Sequence, residues 1–249
     1  MKCEWIPWRV RSQVDSYLRR SALTRAISDW RRLPAPLEPA PRLIERLAYG
    51  WGNEEWSPRV VFLEKALECA RRSTGPILEC GAGLSTILLG ILSQYLSRTV
   101  WTLEEDRGWC RTVRAALRRY HIDSVRLIEA PLRPYDGYHW YTLPGERLPD
   151  RFSLVVCDGP SGKTPGGRYG LVPQLQSRLA EDCVILLDDA RRATEQETAA
   201  RWGEMLQAKP TLVKPGGIWG EYQYAILTVP RSSPTPPRVP AGVAVHSSV

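Results

Sequence analysis

Four short segments hold residues whose types and spacing could do chemistry. Glu79-Cys80-Gly81-Ala82-Gly83 ends an apolar run and precedes Ser85-Thr86, and Glu104 closes a second run 25 residues beyond Glu79. Asp158 follows a third run, Leu154-Val155-Val156-Cys157, and the pair Asp188-Asp189 follows a fourth, Ile185-Leu186-Leu187. Gly81 and Gly83 let the main chain turn tightly and approach a ligand, and a helix opening near Ser85 offers free N–H groups to a negative group. A carboxylate at Glu104 can accept hydrogen bonds from both hydroxyls of a ribose. A solvated charge or a charge at a helix N-terminus is the alternative there, and it better fits Glu105 and Asp106.

A glycine turn after a strand is shared by several nucleotide sites, so its neighbours must discriminate. The dinucleotide fingerprint places a third glycine at position 86, which is Thr86 here. Glu79, two residues before the first glycine, would repel a pyrophosphate but suits a positively charged amino acid portion. After the third run, Gly159-Pro160-Ser161-Gly162-Lys163-Thr164 looks like a phosphate-binding loop. That pattern needs glycine where Cys157 stands, and a helix opening at Lys163-Thr164 that Pro165-Gly166-Gly167 forbids.

These residues need elements to hold them. Ser57-Pro58 reads as an N-cap with proline at the first helical position of a helix reaching Arg72. Apolar strands then follow at Ile77 to Cys80, Thr99 to Leu103, Val125 to Ile128, Phe152 to Cys157 and Cys183 to Leu187. Helices are expected near Ser85 to Leu96 and Arg107 to Tyr120, and another from Thr194, where Thr194 and Glu197 form a T-x-x-E capping box. Between the third and fourth strands the proline- and aromatic-rich stretch from Ala130 to Asp150 predicts an irregular loop. Two last strands, Thr211 to Lys214 and Tyr222 to Val229, flank Gly216-Gly217 and suit an antiparallel hairpin. The sum is a doubly wound α/β fold: a mostly parallel seven-stranded sheet with an antiparallel C-terminal hairpin, flanked by helices. In such a sheet ligands bind beyond the carboxyl ends of the strands, where strand order reverses.

Glu79-x-Gly81-x-Gly83 followed by Ser85-Thr86, then Glu104 after the second strand, resembles the first two cofactor motifs of the class I (Rossmann-fold) S-adenosylmethionine-dependent methyltransferases. The resemblance extends in organisation from about Ser57 to Val229. It implies that Glu79, Gly81, Ala82, Gly83, Ser85 and Thr86 hold the methionine end of the cofactor and Glu104 the ribose. Ala130 would touch the adenine, and Asp158 would border the cofactor.

Methyl transfer is an in-line displacement, so the acceptor atom must be held on line and, for a hydroxyl, relieved of its proton. Asp158, Asp188 and Asp189 stand where such groups are needed, and their spacing would let them converge on a hard divalent cation such as Mg²⁺. In this they are similar to catechol O-methyltransferases and their metal-dependent relatives, which place an Asp after the fourth strand and an Asp-Asp or Asp-Asn pair after the fifth. That resemblance implies a base shortly after the first Asp, here Lys163, with Asp158 and Asp188 as its catalytic companions. Arg168 and Tyr169 are equally placed to touch an acceptor, and His139 is a further proton acceptor to consider. Asp158-Gly159-Pro160-Ser161 does not meet the [DNS]-P-P-[FYW] signature of amino-methyltransferases, which favours an oxygen acceptor. The aromatic clusters Trp51/Asn53/Trp56 and Tyr135/Tyr138/His139/Trp140/Tyr141 could wall the cofactor or an apolar acceptor.

Composition bounds the remaining classes. At 249 residues the chain can bury roughly 70% or more of its unfolded surface, enough for one core without covalent staples. Six cysteines show neither CxxC pairing nor a zinc spacing, so buried reduced thiols are expected. The net charge of +7 is carried by the arms: +5 in residues 1–32 and +2 in 230–249, leaving 24 charges of each sign between them. Residues 1–43 read as a basic helical extension and proline-rich connector, 44–229 as the cofactor-binding domain, and 230–249 as a disordered tail. The chain is expected to be cytoplasmic, with a small-molecule acceptor and no membrane span. Nucleic acid is not expected as a partner of the body. The alternatives are a metal-independent methyltransferase of a small molecule or peptide, or a cofactor-binding subunit docking on RNA or protein through residues 1–32, and a homo-oligomer is compatible with the composition.

Overall fold

The computed structural model describes residues 8–33, 39–53, 57–143, 148–217 and 220–231. Residues 1–7 of the basic extension, residues 34–38 of the connector, Trp56 and the tail from residue 232 therefore lie outside the described residues. Seven strands form one sheet in the order β3-β2-β1-β6-β7-β9-β8. They are β1 (Ile77–Cys80), β2 (Val100–Glu104), β3 (Val125–Glu129), β6 (Phe152–Cys157), β7 (Leu179–Leu187), β8 (Thr211–Val213) and β9 (Tyr224–Thr228). β1, β2, β3, β6 and β7 pair in parallel, and β9 runs antiparallel to both β7 and β8. This is the expected doubly wound sheet with its antiparallel C-terminal strand pair.

The central strands are apolar on both faces because helices cover both. Ile77, Leu154 and Val156 join one core cluster, whereas Leu78, Val155 and Cys157 join the other on the opposite face. Helix α3 (Val60–Arg72) buries Phe62, Leu63, Ala66, Leu67 and Ala70, the spacing of a single helical face. Helix α4 (Leu84–Tyr95) is buried from Leu84 to Ser93, consistent with a sequence that has no polar stripe. Helix α1 (Trp8–Arg31) lays Leu23, Ile27 and Trp30 into the same cluster as Leu43, Ile44 and Leu47 of α2 (Pro41–Trp51). Their contact is close enough that a Cβ at Gly50 would come within 2.7 Å of Leu23 Cα. Cys80, Cys110, Cys157 and Cys183 are buried free thiols, as expected.

The structure corrects several boundaries. α3 opens at Val60 with Arg59 at the cap, so Ser57-Pro58 precede the helix instead of starting it. The stretch after β3 is not irregular throughout: β4 (Leu132–Tyr135) and β5 (Tyr138–Tyr141) form an antiparallel pair. Asp136-Gly137 makes its two-residue turn, with Gly137 at φ 80°, a dipeptide suited to hairpins. The hairpin is anchored by fully buried Trp140 and Tyr141. After β6, Lys163-Thr164 open no helix, as expected, but a short α6 (Leu171–Leu175) that was not expected follows. β7 begins at Leu179, four residues before its expected start. The capping box at Thr194 does not form, because helix α7 (Ala193–Leu206) is already under way and the Thr194 hydroxyl donates to the Glu195 carboxylate. Among the described residues no helix is long and apolar enough to cross a membrane.

Candidate functional site

Strand order reverses between β1 and β6, which are direct neighbours with Cys80 in register with Cys157. Their carboxyl ends are tied main chain to main chain: the Cys80 carbonyl accepts the N–H groups of Asp158 at 3.0 Å and Gly159 at 2.7 Å. Gly81 has φ 88°, and a Cβ there would lie 2.9 Å from the Gly159 nitrogen. A Cβ at Gly159 would in turn lie 2.8 Å from Gly81 Cα, so both positions require glycine. Gly83 is different, since a Cβ there would meet nothing within 4 Å and would enter open space.

That space is a cavity of about 640 Å³, within the roughly 300–1,000 Å³ usual for small-molecule sites. Its walls carry six carboxyl side chains, of Glu104, Glu105, Asp106, Asp158, Asp188 and Asp189, against two guanidinium groups, of Arg168 and Arg192. The charge excess is acidic, although the chain as a whole is basic.

On the β2 side, Glu104 Oε2 accepts the main-chain N–H of Ala82 at 2.8 Å, and Oε1 accepts that of Asp106 at 2.9 Å. The Trp109 indole, one turn into α5 (Arg107–Arg119), donates to the Ala82 carbonyl at 2.7 Å. The Ala82 peptide units are thus gripped from both sides. Trp109 also packs edge-on against Trp51 at 5.9 Å, which joins α2 to this wall. Burial pushes the Glu104 carboxyl up to about 7, against the pull of its two main-chain donors.

Glu79 lies beneath the turn, fully buried. Its Oε2 accepts the hydroxyls of Thr86 at 2.7 Å and Thr102 at 2.8 Å, and Thr86 Oγ1 accepts the Gly83 N–H at 2.9 Å. Burial raises this carboxyl too, to about 7, with the hydroxyls of Ser85, Thr86 and Thr102 opposing it.

The other wall gathers the three aspartates around one side chain. Arg168 Nη2 donates to Asp158 Oδ1 at 2.9 Å, to the Asp158 carbonyl at 2.6 Å and to Asp189 Oδ2 at 3.0 Å. Its Nη1 donates to the Asp188 carbonyl at 2.7 Å. Asp188 Oδ1 accepts the Tyr222 hydroxyl and, at 2.6 Å, the Asp189 N–H. Burial and then Asp189 push the Asp188 carboxyl up to about 6, with Arg168 and Tyr222 pulling the other way. Burial alone works against the Arg168 charge, but the facing carboxylates hold its pKa above the ordinary value.

The expected residues therefore divide. Gly81, Ala82, Gly83, Glu104, Asp158, Asp188 and Asp189 line the cavity; Glu79, Ser85, Thr86, Ala130 and Lys163 do not. Ala130 is buried, with its N–H donating to the Glu104 carbonyl at 2.8 Å, so it supports the β2 end from behind. Lys163 is exposed in the turn after β6 and is not among the residues that line the cavity. His139 is held in the hairpin by its N–H to the Pro165 carbonyl, and Tyr169 lies under Arg201 with 4.3 Å to its ring centre. Nor do the aspartates form the expected metal set. Among the described residues no group of three or more His, Cys, Asp or Glu could hold a metal ion. Asp158 and Asp189 already face one guanidinium, and Asp188 is turned to Tyr222.

Trp109, Arg192 and Tyr222 belong to the site without having been expected there. Trp109 carries the one readable signal, an indole donor five residues after Glu104 at the start of a helix. Arg192 and Tyr222 reach the aspartates from α7's cap and from the approach to β9, which no local pattern announces.

The sequence matches no protein-family model and no curated protein. The fold, in contrast, is found in many solved structures. The SAH-bound Podospora anserina methyltransferase PaMTH1 superposes with a TM-score of 0.52 at 17% identity, covering 91% of this chain and 98% of that one. Cofactor-bound Rv0187 from MTB gives 0.51 at 20%, covering 92% and 100%. An O-methyltransferase from Bacillus cereus in complex with SAH gives 0.51 at 15%, covering 87% and 97%.

Proposed function

We propose that this chain, which has the fold of the class I S-adenosylmethionine-dependent methyltransferases, transfers the sulfonium methyl group to an oxygen of a small hydroxylated acceptor. One observation carries the reading: the cavity at the β1/β6 switch point is acidic, six carboxyl groups against two guanidiniums, inside a basic protein. A sulfonium and an ammonium are favoured there, whereas the pyrophosphate of a dinucleotide is repelled. The methyltransferase neighbours solved with SAH support the same reading.

When bound, the cofactor supplies a methyl carbon activated by its positive sulfur. The protein's own part is positional and electrostatic. The Gly81–Gly83 turn leaves room for a ligand to approach the main chain, and Glu104 keeps a free lone pair on each oxygen for the ribose hydroxyls. Asp158 and Asp188 stand beyond the β6 and β7 ends, where they can accept the proton that leaves the acceptor hydroxyl as the oxygen–carbon bond forms and the carbon–sulfur bond breaks. Arg168 holds Asp158 and Asp189 in place and offsets their charge. No divalent cation enters this mechanism, because the carboxylates of Asp158 and Asp189 are engaged by Arg168 and that of Asp188 by Tyr222.

Calorimetric titration with S-adenosylmethionine, S-adenosylhomocysteine and NAD tests the proposal. Saturable binding of the first two and none of NAD is expected; NAD binding without S-adenosylmethionine binding overturns it.

A further inference from the structure

Arg168 contacts all three aspartates that, from the sequence, would converge on a cation. Its side chain is 3% exposed, whereas Arg192, which reaches Asp189 Oδ2 at 2.8 Å, is half exposed. The four hydrogen bonds of Arg168 fall on oxygens of Asp158, Asp188 and Asp189. Two of those oxygens are main-chain carbonyls at the ends of β6 and β7, so the guanidinium bridges the two strand ends as well as the side chains.

A planar guanidinium with fixed N–H directions does for these oxygens what an octahedral metal would do with coordinate bonds: it gathers them and offsets their charge. It differs in two ways. It cannot be removed by a chelator, and it excludes a second cation, because a metal close enough to bind the Asp158 and Asp189 carboxylates would face the guanidinium across the same oxygens. Asp188 offers such a metal little help, since its Oδ1 already accepts from Tyr222 and from the Asp189 N–H.

We propose that Arg168 is the resident cation of this site, a positioning residue that takes the place of a divalent metal and makes the three aspartates a metal-free cluster. The proposal rests on reading this cavity as the methyl-transfer site. It predicts that the metal site is latent: removing the guanidinium frees the carboxylates of Asp158 and Asp189 and the main-chain carbonyls of Asp158 and Asp188 at the ends of two adjacent strands, oxygen donors of the kind that Mg²⁺ or Mn²⁺ takes.

The test is a Mn²⁺ titration of the full chain followed by electron paramagnetic resonance, alongside S-adenosylhomocysteine binding by calorimetry. The unmodified chain is expected to show no saturable Mn²⁺ binding at millimolar metal. Arg168→Ala should gain it, with half-saturation about tenfold or more below the millimolar limit at which the unmodified chain still shows none, and adding Asp158→Asn should abolish the gain. Arg168→Met, which keeps much of the side-chain length, repeats the measurement if the alanine variant does not fold. A Mn²⁺-dependent rise in the melting temperature of either variant counts in favour, because a purely structural arginine would give none. Saturable Mn²⁺ binding by the unmodified chain that is lost in Asp158→Asn overturns the proposal, as do folded Arg168 variants that bind no metal. Should both variants fail to fold, the titration of the unmodified chain and its Asp158→Asn variant decides. Absence of S-adenosylhomocysteine binding would count against the proposed function, while the Mn²⁺ results still decide the role of Arg168.

Discussion

Glu104 grips Ala82: Oε2 of the one accepts the main-chain N–H of the other at 2.8 Å, across the mouth of the glycine turn. The carboxylate that faces the ribose position therefore also shapes the turn below the methionine position. Because burial raises its pKa to about 7, cofactor binding is coupled to pH. A ligand whose hydroxyls donate to the ionised carboxylate, and whose sulfonium favours it, expels the proton. Affinity for S-adenosylmethionine should rise about tenfold between roughly pH 6 and 8, with proton uptake by buffer visible in calorimetry. Glu104→Gln should flatten the profile and weaken binding by about 1.5–3 kcal/mol, the range for hydrogen bonds to a charged group. A pH-independent affinity in the unmodified chain would contradict the assignment.

The same two buried carboxyls set a pH dependence of stability. In the unfolded chain Glu79 and Glu104 release their protons near 4.5, while in the folded chain they keep them to about 7. Over that window the native state binds more protons, so stability of the cofactor-free protein falls as pH rises from about 4.5 to 7 and then levels off. Glu79→Gln removes one ionisation, and its melting temperature should fall less across the window than that of the unmodified chain. Thermal unfolding at half-unit pH steps measures this, and an equally steep fall in the variant would rule Glu79 out as a source.

The two glycines of the turn should respond in opposite ways. Gly81→Ala places a Cβ at φ 88° and 2.9 Å from the Gly159 nitrogen, which should cost on the order of 1–3 kcal/mol of stability. Gly83→Ala meets no protein atom within 4 Å, so it should fold normally and lose cofactor affinity instead. Melting curves and S-adenosylhomocysteine titrations on both variants separate the effects. Equal destabilisation would show that the cavity side of the turn is misjudged.

Trp109 is expected to act through the Ala82 peptide. Trp109→Phe removes the 2.7 Å bond to the Ala82 carbonyl and leaves an aromatic ring against Trp51. Affinity for S-adenosylhomocysteine should drop by about 1 kcal/mol, with little change in the circular dichroism spectrum. Unchanged affinity would mean that Glu104 alone holds the turn.

Much of the scaffold was legible because its central strands are buried on both faces. β1 and β6 have the expected ends, Ile77–Cys80 and Phe152–Cys157, since a strand between helices must be an unbroken apolar run. Glu104 was readable for the related reason that a carboxylate ending such a run has few structural uses. The β4–β5 hairpin was not, although Asp136-Gly137 marks its turn, because β4 (Leu132-Arg133-Pro134-Tyr135) contains a proline and β5 (Tyr138-His139-Trp140-Tyr141) is aromatic throughout, so neither shows an alternation of polarity. Lys163 does not line the cavity, and spacing along the chain says nothing about which way a turn carries a side chain. The partnership of Arg168 with Asp158, Asp188 and Asp189 joins segments up to 21 residues apart, and only the packed sheet brings them together.

The contact of Gly81 with Gly159 limits how this site could be reshaped. Neither position can accept a larger residue while the two strand ends stay at their present separation and the Tyr141 hydroxyl lies against Gly159, so this part of the cavity offers no means of changing acceptor preference. Variation in selectivity must come from the walls that approach from elsewhere in the chain, where Asn53, Ser57 and Ser161 line the cavity with side chains. A library aimed at new acceptors would randomise those three and leave both glycines untouched.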